Sequence, residues 1–209
     1  RGDVQPYIAL GKGLKNAGYT VRVLTSDDFR SLVVEAGLAF SSAGESVEAV
    51  LQSEKWRKLM ESGNFLAILR AMTSAMKERA HTLAQHMPGL LEGTDLIVTG
   101  MGGMGGTFSI AEKLAIPVIQ AYVFPITPTR AFPSPLTPRL PFGTMLNRLS
   151  FLPMRQMLWQ TTRVADSATR KVLGMPRASF FGPFAALQQK QVPILYGYSR
   201  HVLPQPSDW

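Results

Sequence analysis

Two short stretches of the sequence contain residues whose types and spacing could do chemistry. The first is "RGDVQP" at the start, where Asp3 lies directly before a segment with the pattern of a helix. A carboxylate there is either a helix N-terminal group, stabilised by free N–H groups and the helix dipole, or a general base for a substrate hydroxyl. A third interpretation, an Arg-Gly-Asp integrin-recognition tripeptide, needs an exposed extracellular loop, and nothing else in the sequence supports it.

The second stretch is "GMGGMGG", which lies between a predicted strand and a predicted helix. Gly100, Gly102 and Gly105 have the Gly-x-Gly-x-x-Gly spacing of a dinucleotide-binding turn. That turn also needs an acidic residue about 20 positions later, and no carboxylate follows Glu112 before Asp166. We therefore favour glycines that let the chain pass close to a ligand, or let a helix pack tightly on the sheet.

The histidines do not form a recognisable metal or catalytic site. His81 and His86 are five residues apart, which does not place both on one helix face, and His201 is distant in sequence. The sequence has no cysteine and no nucleophile-elbow motif. We predict no metal site and interpret the histidines as ordinary core or surface residues.

A proline-rich segment, "PITPTRAFPSPLTPRLPFG" at 125–143, is too rich in proline for regular structure. Aromatic side chains and arginines alternate along it, and long loops inside compact domains are usually functional. It could form the wall of an apolar ligand pocket, touch a membrane interface, or pack on the core as a rigid crossover.

The charge distribution indicates which classes of partner the protein could bind. The formal net charge is +8, and residues 113–163 contain no Asp or Glu. A basic stretch of this kind suits nucleic acid, an anionic substrate or an anionic membrane surface, or it is simply a solvated positive face. No signal peptide and no uninterrupted apolar run of about 18 residues is visible, so we expect a cytoplasmic protein.

Helix and strand patterns alternate along the chain, which predicts an α/β fold with a doubly wound, mostly parallel Rossmann-like sheet. With 45% hydrophobic residues, residues 1–209 are expected to form one domain. The predicted helices are 4–17, 27–37, 64–87, 105–115 and 153–173, and the predicted strands are 20–25, 38–43, 94–100, 116–124 and 192–199. The first helix has no strand before it, so we expect one upstream of Arg1 in the parent protein.

The methionine and leucine residues of the 64–87 helix recur every three or four positions. They are interpreted as a core stripe, with a partner surface as the alternative. The stripe comprises Leu69, Met72, Met76, Ala80, Leu83, Met87 and Leu90.

Three stretches together resemble family 28 glycosyltransferases of the two-Rossmann-domain (GT-B) type. The opening "RGDVQPYIALGKGLKNAGYTVRVLT" is similar to the family's Gly-Ser/Thr-Arg-Gly-Asp-x-x-Pro loop, matched at Arg1, Gly2, Asp3 and Pro6. "AYVFPITPTRAFPSP" and the "LYGYSRHVLPQPSDW" exit are similar to the sterol glucosyltransferase branch. The resemblance covers nearly the whole chain, although the family's preceding Gly and Ser/Thr are absent.

The resemblance implies an acceptor-binding half of an inverting hexosyltransferase, with Asp3 as general base. Arg1 and Gly2 would lie near the donor diphosphate. The co-substrate would be a nucleotide diphosphate sugar, of which a UDP-sugar is expected, bound mainly by a second domain that this chain lacks, so the chain alone should be inactive. Acceptor contacts are expected from Gly102, Gly103, Phe124, Arg130, Phe132 and Phe142.

The expected partners are an apolar small-molecule or lipid acceptor and a membrane surface touched peripherally, with no nucleic acid. Two alternatives stay open at this point. One is a non-catalytic lipid or membrane-surface binding module, and the other is a dinucleotide-binding oxidoreductase domain.

Overall fold

The structure, a computed structural model, describes residues 2, 4–44, 53–137 and 143–209. The chain divides into two compact units, Arg1–Leu83 and Ala84–Trp209. Each unit contains a parallel sheet and helices, which confirms the predicted α/β class. The described strands are divided between two sheets, one in each unit.

The first unit is built around a two-stranded parallel sheet whose register pairs Arg22 with Ala39. Ile8, Val33 and Leu38 form its buried apolar cluster, so α1 packs on this unit through Ile8. In chain order its elements are α1 (Gln5–Asn16), β1 (Arg22–Thr25), a 3-10 turn (Asp27–Phe29), α2 (Arg30–Glu35), β2 (Ala39–Ser42), α3 (Glu54–Glu61) and α4 (Phe65–Leu90), whose last residues belong to the second unit.

The second unit contains a three-stranded parallel sheet in the order β3-β4-β5. Its register pairs Ile97 with Val118 and Gln120 with Ile194. In chain order its elements are β3 (Ile97–Thr99), a 3-10 helix (Met101–Gly105), α5 (Thr107–Leu114), β4 (Val118–Tyr122), α6 (Thr144–Val172), α7 (Phe184–Gln189) and β5 (Ile194–Tyr196). The strands are shorter than predicted, because most of the residues that flank them have no regular secondary structure.

The core of the second unit lies on the sheet face that carries Tyr122. Side chains from the 3-10 helix, α5, β4 and α6 meet there, together with one residue of the proline-rich segment. The buried members of this cluster are Met104, Phe108, Tyr122, Ile126, Phe151 and Met154. The long helix α6 therefore covers the sheet while one of its sides stays in solvent.

The predicted core stripe on α4 is only partly buried. Ala80 and Met87 are buried as predicted, whereas Met72 and Met76 are 50% and 38% exposed. The amphipathic spacing identified the correct helix, but the stripe is not core along its whole length.

Two prolines lie inside helices, where the sequence suggested helix boundaries. Helix α4 continues through Pro88 to Leu90, and α6 starts at Thr144 rather than at Pro153. The predicted start of α6 was wrong for a physical reason. Pro153 is on the exposed side of the helix, where loss of one backbone hydrogen bond is tolerated because water can replace it.

Candidate functional site

Three of the residues predicted from the sequence lie outside the described residues: Arg1, Asp3 and Phe142. Gly2 is described as an exposed turn residue. Helix α1 begins after Val4, whose carbonyl accepts hydrogen bonds from the N–H groups of Tyr7 and Ile8, both at 3.1 Å. The role of Asp3 two residues before this helix stays a prediction.

Gly102, Gly103 and Phe124 are brought to the same edge of the β3-β4-β5 sheet. Strand β3 ends at Thr99 and its parallel neighbour β4 ends at Tyr122, so the segments that follow both strands start at one edge. The carboxyl edge of a parallel sheet is where α/β proteins commonly bind ligands. The sequence predicted Gly102 and Gly103 directly after one strand and Phe124 as the last residue of the next, whereas the second strand ends at Tyr122.

The glycine segment Gly100–Gly106 is shaped mainly by close packing. A Cβ at Gly103, which is buried, would overlap the side chain of Thr99. A Cβ at Gly106 would lie 2.5 Å from Oγ1 of Thr169, and its φ of 143° disfavours any other residue. Gly102, by contrast, is exposed with nothing within 4 Å of that position. Tight packing therefore explains Gly103 and Gly106, while Gly102 leaves room for a ligand.

The start of the proline-rich segment is hydrogen-bonded to Tyr196, the last residue of β5. The Tyr196 hydroxyl accepts hydrogen bonds from the N–H groups of Thr127 (2.9 Å) and Ile126 (3.3 Å), and it lies 2.6 Å from Oγ1 of Thr127. The start of the segment is thereby fixed over the end of the neighbouring strand, without any regular secondary structure.

The C-terminal residues hold the middle of the same segment. The Asp208 carboxylate accepts hydrogen bonds from Oγ1 of Thr129 (2.6 Å) and from N–H of Arg130 (2.9 Å). These two donors favour the charged form and lower the pKa of Asp208. On the other side, Nδ2 of Asn147 donates to the Arg130 carbonyl at 3.0 Å. The Arg130 backbone is thus fixed from two sides while its side chain stays exposed.

The two described phenylalanines of the predicted acceptor wall are half-buried. Phe132 packs against Phe151 and Trp209, with ring centroids 6.4 and 6.1 Å apart, and Trp209 stacks on Tyr196 at 4.7 Å. Most of the Phe132 ring therefore serves packing, as the rigid-crossover interpretation expects. Phe124 lies two residues after the end of β4.

A cavity of about 350 Å³ lies behind the proline-rich segment, on the sheet face covered by α6 and α7. None of the predicted site residues that the structure describes lines it. Its charged lining residues are Arg148, Arg155 and Asp208, and its apolar walls include Ile126, Phe184 and Leu187. The basic stretch of the sequence contained a signal for this cavity, because Arg148 and Arg155 are seven residues apart and therefore share one helix face.

Exposed apolar side chains form a ridge along the first half of α6, hereafter the α6 ridge. Met145 at its start is 73% exposed and Phe181 beside its far end is 72% exposed. Phe180 is held against the helix because its carbonyl accepts from Nε2 of Gln156 at 3.1 Å. The α6 ridge comprises Met145, Leu146, Leu149, Leu152, Met157, Phe180 and Phe181.

A buried carboxylate network joins α5 to α6 just behind the glycine segment. Asp166 is 3% exposed, accepts a 2.5 Å hydrogen bond from Oγ of Ser109, and pairs with Nε of Arg170 at 3.2 Å. Burial raises the pKa of Asp166, and the Ser109 and Arg170 contacts oppose that rise. Arg170 also pairs with Glu112 at 3.2 Å. The network locks the helix that follows the glycines.

Within the described ranges, no three His, Asp or Glu side chains are grouped so that they could hold a metal ion. The described helices also include none long and apolar enough to cross a bilayer.

Comparison with known proteins decides the family. Residues 1–133 match the glycosyltransferase family 28 N-terminal domain. The chain belongs to this family. It is similar to the sterol 3-beta-glucosyltransferase ATG26 of Gibberella zeae, at 33% identity over 215 residues, covering 100% of this chain and 14% of that protein. It is also similar to the sterol 3-beta-glucosyltransferase of Debaryomyces hansenii, at 32% identity, covering 100% of this chain and 13% of that protein.

This family 28 domain thus spans about one seventh of the length of these relatives. Among solved structures, it is similar to SsfS6, a glycosyltransferase of Streptomyces sp. SF2575, with a TM-score of 0.43 and 18% identity. That match covers 82% of this chain and 43% of the other.

Proposed function

We propose that residues 1–209 form the acceptor-binding domain of an inverting glycosyltransferase. The enzyme moves a hexose from a nucleotide diphosphate sugar to the hydroxyl of an apolar acceptor, such as a sterol, lipid or polyketide. The observation that carries this proposal is the family match over residues 1–133, together with sterol 3-beta-glucosyltransferase relatives that align with the whole chain.

The proposed chemistry uses Asp3 as general base. Its carboxylate takes the proton of the acceptor hydroxyl while the hydroxyl oxygen attacks the anomeric carbon, the bond to the diphosphate oxygen breaks, and the nucleoside diphosphate leaves. Attack opposite the leaving group inverts the anomeric centre. Arg1 and Gly2 lie beside this base in sequence and are assigned to the diphosphate. The donor, a UDP-sugar, is bound mainly by protein outside this chain.

The acceptor is assigned to the carboxyl edge of the β3-β4-β5 sheet. Gly102 supports this assignment because it has open space beside its backbone, and Phe124 supports it because it follows the neighbouring strand at the same edge. The remaining predicted contacts, Gly103, Arg130, Phe132 and Phe142, lie in the two segments that continue from this edge. Sugar transfer of this type needs positioning, one base and charge stabilisation.

The test measures hexose transfer from UDP-glucose to a sterol by the full reading frame that contains this chain. Asp3→Asn should lower kcat by about 10²- to 10⁴-fold, the usual contribution of a general base. Asp27→Asn is the matched control, since it makes the same charge change at an exposed Asp that pairs with Arg30 at 3.2 Å. Transfer unchanged in Asp3→Asn would reject Asp3 as base, and turnover by residues 1–209 alone would show that the donor site is misplaced.

A second candidate function is contact with an anionic bilayer surface, which the α6 ridge favours. Its apolar side chains are exposed along about three helical turns, and the chain from residue 113 to 165 contains no carboxylate to repel acidic lipids. Exposed arginines flank the ridge: Arg148 lies on α6, and the Arg163 guanidinium lies 5.2 Å from the Phe180 ring centroid.

Vesicle sedimentation tests the membrane contact without any sugar donor. Vesicles of phosphatidylcholine with phosphatidylserine should bind the chain more strongly than phosphatidylcholine alone. Leu149→Asp should abolish that difference, whereas Val34→Asp, at a 57% exposed apolar site in the first unit, should leave it unchanged. Equal losses in both variants would assign the effect to net charge and reject the ridge.

A further inference from the structure

We propose that the cavity between α6, α7 and the C-terminal residues binds a small oxyanion, a phosphate or carboxylate group carried on a short apolar stem. The lining of the cavity includes none of the described residues assigned to the acceptor, although Ile126, Thr127 and Pro128 of the same proline-rich segment contribute to it. It goes beyond the proposed function, because such binding requires neither the donor nor Asp3.

The first argument is a pair of arginines, neither of which forms an ion pair with a carboxylate among the described residues. Arg148 and Arg155 both line the cavity, two helical turns apart on one side of α6. Among the ion pairs of the described residues, none includes either guanidinium. Guanidinium groups match phosphate and carboxylate oxygens with paired N–H donors, so two of them at one cavity favour an anionic occupant.

Arg155 is held in place by contacts that leave its terminal nitrogens available. Its Nε donates to the Ile126 carbonyl at 2.9 Å, and its guanidinium carbon lies 5.0 Å from the ring centroid of Phe184. Burial lowers the pKa of Arg155, which is the sign of a cation that has lost water without gaining a carboxylate. A fixed and partly desolvated guanidinium binds an anion with little further ordering.

Asp208 interacts with the charge of Arg148, which contributes to the lowered pKa of Asp208, so Arg155 carries most of the argument for an anion. Asp208 is the one carboxylate among the lining residues, and both its oxygens already accept hydrogen bonds, from Oγ1 of Thr129 and from N–H of Arg130. The amides of Gln188 and Gln191 add neutral polar groups to the lining. The balance of the described lining is therefore cationic.

The apolar lining defines the shape of the ligand. Phe184, Leu187 and Ile194 line the cavity together with the arginines. Trp209 also lines it, but its indole N–H is buried away from solvent and is not counted as a donor to the ligand. A volume of about 350 Å³ is at the small end of ligand pockets, which suits a short apolar stem rather than a sterol-sized body.

The test follows the indole N–H signals of the 209-residue chain by NMR during titration with hexyl phosphate, inorganic phosphate and hexan-1-ol. The chain has three tryptophans, Trp56, Trp159 and Trp209. Hexyl phosphate should shift the Trp209 signal, assigned with Trp209→Phe, and should bind more tightly than phosphate or hexanol. Failure to bind, or equal binding of hexanol, would overturn the proposal whatever the outcome of the sugar-transfer assay.

Two variants and one control locate the site. Arg155→Gln should weaken hexyl phosphate binding by about tenfold to a hundredfold, the usual effect of losing a charge-assisted hydrogen bond. Arg148→Gln should weaken it by a smaller factor. It keeps the measurement decisive if Arg155→Gln disturbs the loop, because the exposed Arg148 side chain makes no hydrogen bond to other described residues. Arg163→Gln, on the same helix, should change binding by less than about twofold. An equal loss in Arg163→Gln would mean diffuse attraction and would overturn the site.

Discussion

The glycine segment (Gly100–Gly106) and the proline-rich segment (described over Pro125–Thr137) leave the same edge of one sheet but are stabilised in opposite ways. The glycine segment can pack closely because its glycines have no side chains. Threonine side chains occupy the space that a Cβ would need at Gly103 and at Gly106. The second is fixed by added polar contacts, from Tyr196, Asp208 and Asn147. The first segment should therefore fail when volume is added, and the second when a hydrogen-bonding group is lost.

The largest effect is expected at Gly106. Gly106→Ala adds strain at a φ of 143° and a clash with Thr169, which together should lower the free energy of unfolding by about 3 to 5 kcal/mol. Gly102→Ala is the control within the same segment, and it should stay within about 0.5 kcal/mol because open space surrounds that position. Urea unfolding followed by tryptophan fluorescence measures both. Equal stability of the two variants would contradict the packing explanation.

Ser109→Ala comes next, because it removes the hydrogen bond that holds buried Asp166 behind the glycine segment. Hydrogen bonds to charged groups contribute about 1.5 to 3 kcal/mol, and we expect a loss in that range. Ser167→Ala, on the exposed side of α6, should be neutral. The same urea titrations give the comparison, and a neutral Ser109→Ala would show that Arg170 alone satisfies the carboxylate.

In the proline-rich segment, Thr129→Val keeps the side-chain shape and removes the hydroxyl. Thr129 is fully buried, donates to Asp208, and accepts from N–H of Ala131 at 3.1 Å. Losing these contacts should cost about 1 to 2 kcal/mol. Thr161→Val, at an exposed hydroxyl that bonds only to the nearby Leu158 carbonyl, should change stability little. Similar losses at both sites would mean that the hydrogen bond from Thr129 to Asp208 does not contribute to the free energy of unfolding.

The smallest effect is expected from the pH dependence of the hydrogen bonds that Asp208 accepts from Thr129 and Arg130. The folded pKa of Asp208 is lowered below its ordinary value of 3.8, first by Thr129 and then by the Arg130 N–H. Its contribution to stability is therefore present above pH 3.8 and is lost as the pH falls through the lower folded pKa. The Thr129 and Arg130 amide signals in NMR should move in that range, and Asp208→Asn should remove the change. An unaltered titration in Asp208→Asn would assign it to another group.

Local patterns in the sequence predicted the elements well where neighbours in sequence decide structure. Helix α1 and strands β1 to β5 all lie within their predicted ranges, since alternation and amphipathic spacing are read over a few residues. The start of α6 was missed because a proline was taken for a boundary, and only the exposure of Pro153 shows why the helix continues through it.

Contacts between residues that are far apart in the sequence could not be predicted from it. Thr129 and Asp208 are 79 positions apart, and nothing in either segment marks them as partners. The same holds for Gly106 beside Thr169. Of the predicted site, the sequence placed Gly102 and Gly103 after one strand and Phe124 at the end of the next. Pairing of β3 with β4 then put them at one edge. The arginine-lined cavity needed α6, α7 and the C-terminal residues together.

The proline inside α6 sets a limit on how deeply that helix can enter a lipid layer. Pro153 has no N–H, so it cannot satisfy the carbonyl of Leu149 four residues earlier, on the exposed side of the α6 ridge. In hydrocarbon an oxygen of this kind would cost several kcal/mol, whereas water or a polar lipid head can serve it at the boundary. We therefore expect the backbone of α6 to stay at the level of the lipid head groups. The helix would lie parallel to the membrane surface, and only its side chains would reach the acyl chains.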